Sequence, residues 1–329
     1  MRATARAHTN IALIKYWGKR DERLFLPTNP SVSMTLDGLY TETTVAFDAA
    51  LHADVFTLDG APGGDKEAAQ VSAFLDKLRG LAGTRHFARV DSLNHVPTAA
   101  GLASSASGFA ALAAAGAKAL GLDLDDAALS RLARQGSGSA CRSIFGGFAE
   151  WRMGETADGC DSHGVPLAGA DHWPLRMLVT VLEAGPKAIK SRDGMRETVK
   201  TSPFYPGWLA TARRDAEEAK RAIAAKDFTA LGTVAEANAL KMHATMLGAA
   251  TPFTYWQPAT LAAMHAVWAL RQAGVEAYFT MDAGPNVKVL CQPADEPAVE
   301  AALRAVPGVK SLIACGPGPG VAYLESAVR

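Results

Sequence analysis

The sequence predicts an α+β protein of two lobes with a cleft between them, the second lobe carrying a split ferredoxin-like order. Three observations predict it. The 329 residues exceed what most single cores accommodate. Strand-like and helical periodicities alternate without an internal repeat or low-complexity linker. Beyond residue 170 the rhythm becomes strand, helices, strand, strand, helix, strand, so lobes over 1–170 and 171–329 are expected.

In the first half, residues 41–47 are β-branched and alternating, 55–58 are similar, and 86–90 precede a turn, which predicts three strands. Between the last two, apolar Val71, Phe74, Leu75 and Leu78 predict a helix over 65–78, followed by Gly80 and Gly83. Helices are expected over 104–120 and 125–134, and strand character over 143–151. The second half opens with a strand at 177–182 and continues with helices at 208–225 and 228–247. Pro258 suits a first turn and Gly274 a stop around a helix at 259–272. Strands at 275–280 and 286–290 read as a hairpin. A helix over 296–305, a strand over 309–314 and a rigid turn at Gly316-Pro-Gly-Pro-Gly complete the order.

Composition narrows the function. Lys plus Arg balances Asp plus Glu at 33 each, so no global field recruits nucleic acid or an anionic membrane, and an anionic ligand needs a local cluster. Cys141, Cys160, Cys291 and Cys315 are scattered without metal or redox spacing, which fits a reducing compartment. The N-terminus develops no apolar run of signal-peptide or membrane-helix length, so a cytoplasmic location is expected. The histidines lack the spacing of a zinc hydrolase.

Four segments carry chemistry. The run from Asn94 to Gly108 is rich in Gly, Ser and Ala and passes from a strand into a helix, where small side chains let backbone N–H groups approach phosphate oxygens. Small residues there also serve close helix packing, and no Walker lysine follows. Near the N-terminus an apolar alternation runs into Lys15, Tyr16, Trp17 and Lys19, where the two lysines suit an anionic substrate with Tyr16 as a hydrogen-bond donor, or simply an exposed strand end. Gln135-Gly-Ser-Gly-Ser-Ala-Cys-Arg places Ser139 near Arg142, whose planar fork fits a carboxylate or phosphate, or water. Met281-Asp-Ala-Gly-Pro-Asn-Val-Lys sets Asp282 at a hairpin mouth, as a general base or as a turn residue bonding its own backbone. A further loop, Ser191-Arg-Asp-Gly-Met, adds a hydroxyl and a cation. Together these loops describe a phosphate-handling cleft.

With Leu26-Pro-Thr-Asn-Pro-Ser-Val-Ser, these segments resemble the diphosphomevalonate decarboxylase family of the GHMP kinase superfamily over nearly the whole chain. Asn238-Ala-Leu-Lys-Met-His and Pro252-Phe-Thr-Tyr-Trp also resemble bacterial members. The resemblance implies a GHMP kinase fold, an N-terminal nucleotide-binding lobe with a ferredoxin-like partner, ATP with Mg²⁺, a phosphorylated mevalonate as substrate, and a homodimer. It implies that Asp282 is the catalytic base, Lys15 the lysine near the reacting hydroxyl, Arg142 the group orienting the substrate carboxylate and Ser139 a substrate-positioning serine. By the same resemblance Tyr16, Trp17 and Lys19 are expected as further substrate contacts. The resemblance likewise implies that Pro97, Ala100, Gly101, Ala103, Ser104, Ser105 and Ser107 form the ATP phosphate loop, with Ser191 in a second loop near the phosphates. The implied reaction phosphorylates a tertiary hydroxyl and expels carbon dioxide to make isopentenyl diphosphate. A phosphomevalonate decarboxylase, a mevalonate 3-kinase and a catalytically silent nucleotide-binding protein are the alternatives.

Overall fold

Alternating Ala3, Ala5 and Ala7 bury one face of strand β1 (Arg2–Ile14), but from His8 onward every residue is buried. A strand whose apolar period changes from two to continuous is covered first on one face and then on both. The computed structural model describes residues 1–95, 104–182 and 189–325. After β1 come a short ribbon of β2 (Lys19–Asp21) and β3 (Leu26–Pro27), then the long β4 (Ser31–Asp48), whose burial mirrors that of β1. The two pair antiparallel from Arg2↔Ala46 to Ile14↔Val32, with register shifts after His8 and Ala12.

Strands β5 (Val55–Leu58) and β6 (Ala61–Pro62) lead to helix α1 (Asp65–Ala82), which ends on Gly83 at φ 65°. Then come β7 (Phe87–His95) and α2 (Ser104–Ala119). Ala110, Ala111, Ala113, Ala114 and Ala115 of α2 are wholly buried, and side chains this small let the helix lie close on the sheet. Helix α3 (Asp126–Arg134) starts on Asp125, which accepts from the Ala128 N–H at 2.7 Å. A 3₁₀ turn at Gly138–Cys141 precedes β8 (Phe148–Trp151) and β9 (Gly164–Ala168).

The second lobe runs β10 (Arg176–Leu182), α4 (Ser191–Thr201), α5 (Tyr205–Ala225), α6 (Phe228–Leu247), α7 (Pro258–Gln272), β11 (Ala277–Met281), β12 (Val287–Cys291), α8 (Glu296–Arg304) and β13 (Val309–Cys315). Its antiparallel sheet has the order β11-β12-β10-β13, so the first strand lies between the third and fourth, as the split ferredoxin-like order expects. Strand β14 (Ala322–Leu324) returns to pair with β1 at the edge of the first sheet, whose order is β14-β1-β4-β7-β5-β6 with β8 and β9 attached to β4.

Several expectations need correction. Residues 143–147 are not strand, because Arg142 and Ser143 turn inward and Gly147 sits at φ 63°. Gly316-Pro-Gly-Pro-Gly is a packed crossing: Gly318 N–H donates to Thr35 O at 2.7 Å and Gly147 N–H to Gly318 O at 2.8 Å. A Cβ on Gly318 would lie 2.5 Å from the Asp37 nitrogen. The segment at Ser191, expected as a loop, opens α4. The strands expected at 41–47 and 86–90 are parts of the much longer β4 and β7.

One apolar cluster joins Ile11, Leu13 and Ile14 of β1 and Val32 and Met34 of β4 to Met177 and Val179 of β10 and to the facing sides of α5 and α6. The far halves of β1 and β4 therefore serve the junction between lobes, and the near halves the first lobe's own core under α1 and α2. This divided duty carries the end of β1 to the hairpin between β11 and β12.

Candidate active site

Lys15 follows the last residue of β1, and its side chain is 2% exposed. Asp282 follows β11 at the mouth of the β11–β12 hairpin. Lys15 Nζ donates to Asp282 Oδ1 at 2.8 Å and to Ala12 O at 2.7 Å, while Lys288 Nζ on β12 pairs with Asp282 Oδ2 at 2.9 Å. The carboxylate thus faces two buried cations rather than its own backbone, and its side chain keeps about a third of its surface open, at 34%. Burial alone would raise the Asp282 carboxyl, but the charges of Lys15 and Lys288 and their hydrogen bonds outweigh it and hold it well below the usual carboxylate range. Burial lowers Lys15 to about 8, against the pull of Asp282 and assisted by the nearby charges of Lys288 and Arg142.

The hairpin is held from outside as well. Pro285 O accepts from Thr260 Oγ1 at 2.7 Å, and Thr260 Oγ1 accepts from the Gln257 N–H at 3.0 Å, so the start of α7 braces the turn that presents Asp282.

Arg142 is neither solvated nor on a flexible loop. It is 2% exposed at the end of the 3₁₀ turn, donates from Nε to Asn10 Oδ1 at 3.1 Å and from Nη1 to Ser31 Oγ, and lies within the electrostatic reach of Asp282. Asn10 also donates to Ser139 O at 2.9 Å and to Ser143 Oγ at 2.8 Å. Ser139 Oγ faces Ser137 Oγ at 3.5 Å, and Ser137 Oγ faces Ser105 Oγ at 3.3 Å, a chain of hydroxyls from the turn to the start of α2. Gly138 is small for a reason: a Cβ there would lie 2.8 Å from Trp151 and 3.1 Å from Tyr16.

Tyr16 packs on Trp151, ring centroids 4.6 Å apart, and its buried hydroxyl has no hydrogen-bond partner among the described residues. Burial raises the phenol well above its ordinary value. Lys19 pairs with Glu22 at 2.7 Å and stands 4.4 Å from the Phe25 ring, which Arg192 of α4 also approaches at 5.6 Å. Two cations therefore share one aromatic ring.

Other expected contacts move. Trp17 belongs to a buried cluster with Tyr205, Trp208 and Met242, and its indole N–H donates to Thr198 Oγ1 at 2.7 Å, so it is a packing residue without a donor left for substrate. Ser107 is wholly buried and bonds Thr41 Oγ1 at 2.8 Å, which fastens α2 to β4. Ser105 is exposed at the start of α2, and Ser191 lies beside the Tyr255 phenol at the start of α4. Pro97, Ala100, Gly101 and Ala103 lie outside the described residues, as does the side chain of Ser104. Next to Ser105 a cavity of 290 Å³ is lined by Phe56, Leu58, Phe109, Gln70 and Asn94.

Sequence reasoning missed Lys288, Asn10, Ser31 and His243. A lysine inside the buried strand Val287-Lys-Val-Leu and an asparagine inside the buried Thr9-Asn-Ile-Ala were legible signals, since both interrupt apolar strands. His243 on α6 had no such mark. It is 1% exposed, neither ring nitrogen has a hydrogen-bond partner among the described residues, and burial together with the charge of Lys15 pushes it down to about 3, leaving a neutral imidazole beside the cluster. Among the described residues no three His, Cys, Asp or Glu gather to hold a metal, and no helix is long and apolar enough to cross a membrane.

Comparison with known proteins bears on this arrangement. Two family profiles match, the diphosphomevalonate decarboxylase-like N-terminal domain over residues 7–164 and the mevalonate 5-diphosphate decarboxylase C-terminal domain over 177–314. The chain is 40% identical to the diphosphomevalonate decarboxylase of Homo sapiens over 307 residues, covering 87% of this chain and 76% of that one. It is 50% identical to a solved structure of MDDEF in complex with MVAPP, AMPPCP and magnesium, with TM-score 0.93 over 99% of both chains. It is 47% identical to the mevalonate diphosphate decarboxylase from Staphylococcus aureus, with TM-score 0.94 over 98% of both.

Proposed function

This chain belongs to the diphosphomevalonate decarboxylase family, and on that premise we infer that it decarboxylates (R)-5-diphosphomevalonate with ATP, releasing ADP, phosphate and carbon dioxide and forming isopentenyl diphosphate. Its fold is the GHMP kinase type. The observation that carries the reading is the Asp282 carboxylate clamped between Lys15 and Lys288.

A tertiary hydroxyl leaves poorly, so the enzyme first turns it into a phosphate. Asp282 takes or orients the hydroxyl proton while that oxygen bonds to the terminal phosphorus of ATP and the bond to ADP breaks. The new phosphate then departs with its bonding electrons, positive charge develops on the tertiary carbon, and the adjacent bond to the substrate carboxylate breaks to give carbon dioxide and the double bond. Lys15 and Lys288 hold Asp282 ionised and aimed. Arg142, with its fork fixed by Asn10 and Ser31, orients the substrate carboxylate, and Ser139 positions the substrate alongside it.

Tyr16 offers its hydroxyl to the phosphate end, and Lys19 and Arg192 supply two cations around Phe25, which favours a diphosphate over a monophosphate. The apolar walls and amide groups of the cavity beside Ser105 suit the nucleotide base. The Ser105 hydroxyl, with the phosphate oxygens of ATP, would supply hard oxygen donors for Mg²⁺, which would offset charge on the transferring phosphoryl group, while the N–H groups at the start of α2 would face the phosphates. A division into lobes at 1–170 and 171–329, a homodimer and a cytoplasmic location complete the proposal; the matches to the two family domains support the first, the family resemblance the second, and the scattered cysteines without redox spacing the third.

The test offers mevalonate, its monophosphate and its diphosphate in turn, with ADP and carbon dioxide followed separately. Equal formation of both products, fastest from the diphosphate, is expected. ADP without carbon dioxide would make the protein a kinase, and preference for the monophosphate would change its substrate.

A further inference from the structure

Strand pairing stops at Ile14, so the Lys15 peptide needs other partners, and two wholly buried asparagines supply them. Asn238 Oδ1 on α6 accepts the Lys15 N–H at 2.8 Å, and Asn29 Nδ2 donates to the Lys15 carbonyl at 2.8 Å. An amide side chain can turn end for end, and Asp215 on α5 removes that freedom. Its carboxylate only accepts, receives a hydrogen bond from Asn238 Nδ2 at 2.8 Å, and so leaves Oδ1 for Lys15. Lys241 pairs with the same Asp215 oxygen. Asp215 is 2% exposed, and the helices around it already pack through Ala216, Ala219, Leu231 and Ala235. A buried polar relay adds little cohesion that apolar residues would not supply. What it adds is direction.

We propose that Asp215 and Asn238 are positioning residues for the decarboxylation, fixing the main chain of Lys15 and through it the reach of Nζ to Asp282. The proposal rests on the role given to Lys15 above. It also links the packing of α5 against α6 to the geometry of the reacting carboxylate.

The experiment measures kcat, KM for diphosphomevalonate and ATP, and thermal midpoint for the full chain carrying Asp215→Asn, Asn238→Asp, or both exchanges together. Asn238→Asp sets two carboxylates side by side and displaces Lys15, and kcat falls about 100-fold, the scale of an ångström-sized misplacement, with KM for ATP nearly unchanged. The double exchange keeps the acceptor for the Lys15 N–H and restores a donor–acceptor pair behind it, and kcat recovers most of the loss. Asp215→Asn is nearly isosteric, frees the amide to turn, and lowers kcat about tenfold, so it tests the relay even if Asn238→Asp does not fold. Thermal midpoints that fall while kcat stays at the wild-type value, or a double exchange that restores stability without turnover, would make the relay structural only. A Lys15→Met control separates the two claims: if it abolishes turnover while the relay variants do not, the relay alone fails. If it retains carbon dioxide release, the role of Lys15 fails as well.

Discussion

Asp282 meets Lys15 on one oxygen and Lys288 on the other. Lys15, lowered to about 8, is charged below that pH and loses its proton above it. Turnover, which needs the charged lysine beside Asp282, is expected to hold through neutrality and fall as pH rises past about 8. Asp282 lies below the usual carboxylate range and contributes no acidic limb near neutrality. In Lys15→Arg the alkaline limb moves beyond the measurable range, because a guanidinium stays charged; a pH profile of kcat checks this, and an unchanged limb would mean another group titrates. Lys288→Met leaves Asp282 one cation and an unpaired oxygen. Turnover is expected to fall by about 10- to 100-fold, since a charge-assisted bond to a partly buried carboxylate is worth about 1.5–3 kcal/mol.

At the scale of elements, helices were legible wherever one face is buried, as in α1, α3 and α8, because their apolar residues recur at helical spacing. The first half of β1 and the second half of β4, at the open side of the sheet, alternate for the same reason. Their other halves did not, since burial on both faces erases the period and only tertiary context defines the strand. Helix α4 escaped because Ser191-Arg-Asp-Gly opens it with residues that usually form turns.

The same reasoning explains the site. Asp282, Lys15 and Arg142 stood out as polar groups in small-residue segments, whereas Trp17 and Ser107 sat in the same segments for packing. Trp17→Phe, which removes the bond to Thr198 but keeps an aromatic ring, is expected to lower stability by about 1 kcal/mol in denaturant unfolding while changing kcat little. A large loss of kcat at full stability would return Trp17 to the substrate. Gly318→Ala presses a methyl into the Leu36–Asp37 backbone, which has no soft side chain to yield, and is expected to cost about 1–3 kcal/mol by the same measurement.

At the scale of the whole molecule, the two sheets do not own separate interiors. Ile11, Leu13 and Ile14 share one cluster with Met177, Val179 and the faces of α5 and α6, and β14 returns from the far end of the chain to β1. Heat or denaturant is therefore expected to unfold both lobes in one transition, and Leu13→Ala, a wholly buried truncation, to move that single transition by about 2–5 kcal/mol. Two resolved transitions would contradict the shared core. The same continuity lets residues 267 positions apart, Lys15 and Asp282, meet at 2.8 Å.

The most direct test of the account is a single-turnover comparison of the wild-type enzyme with Asp282→Asn, with bound nucleotide, ADP and carbon dioxide measured in the same reaction. The asparagine keeps the shape and loses the base, so ATP is expected to bind almost as before while both products form about 100- to 10,000-fold more slowly. Carbon dioxide released at the wild-type rate would contradict it.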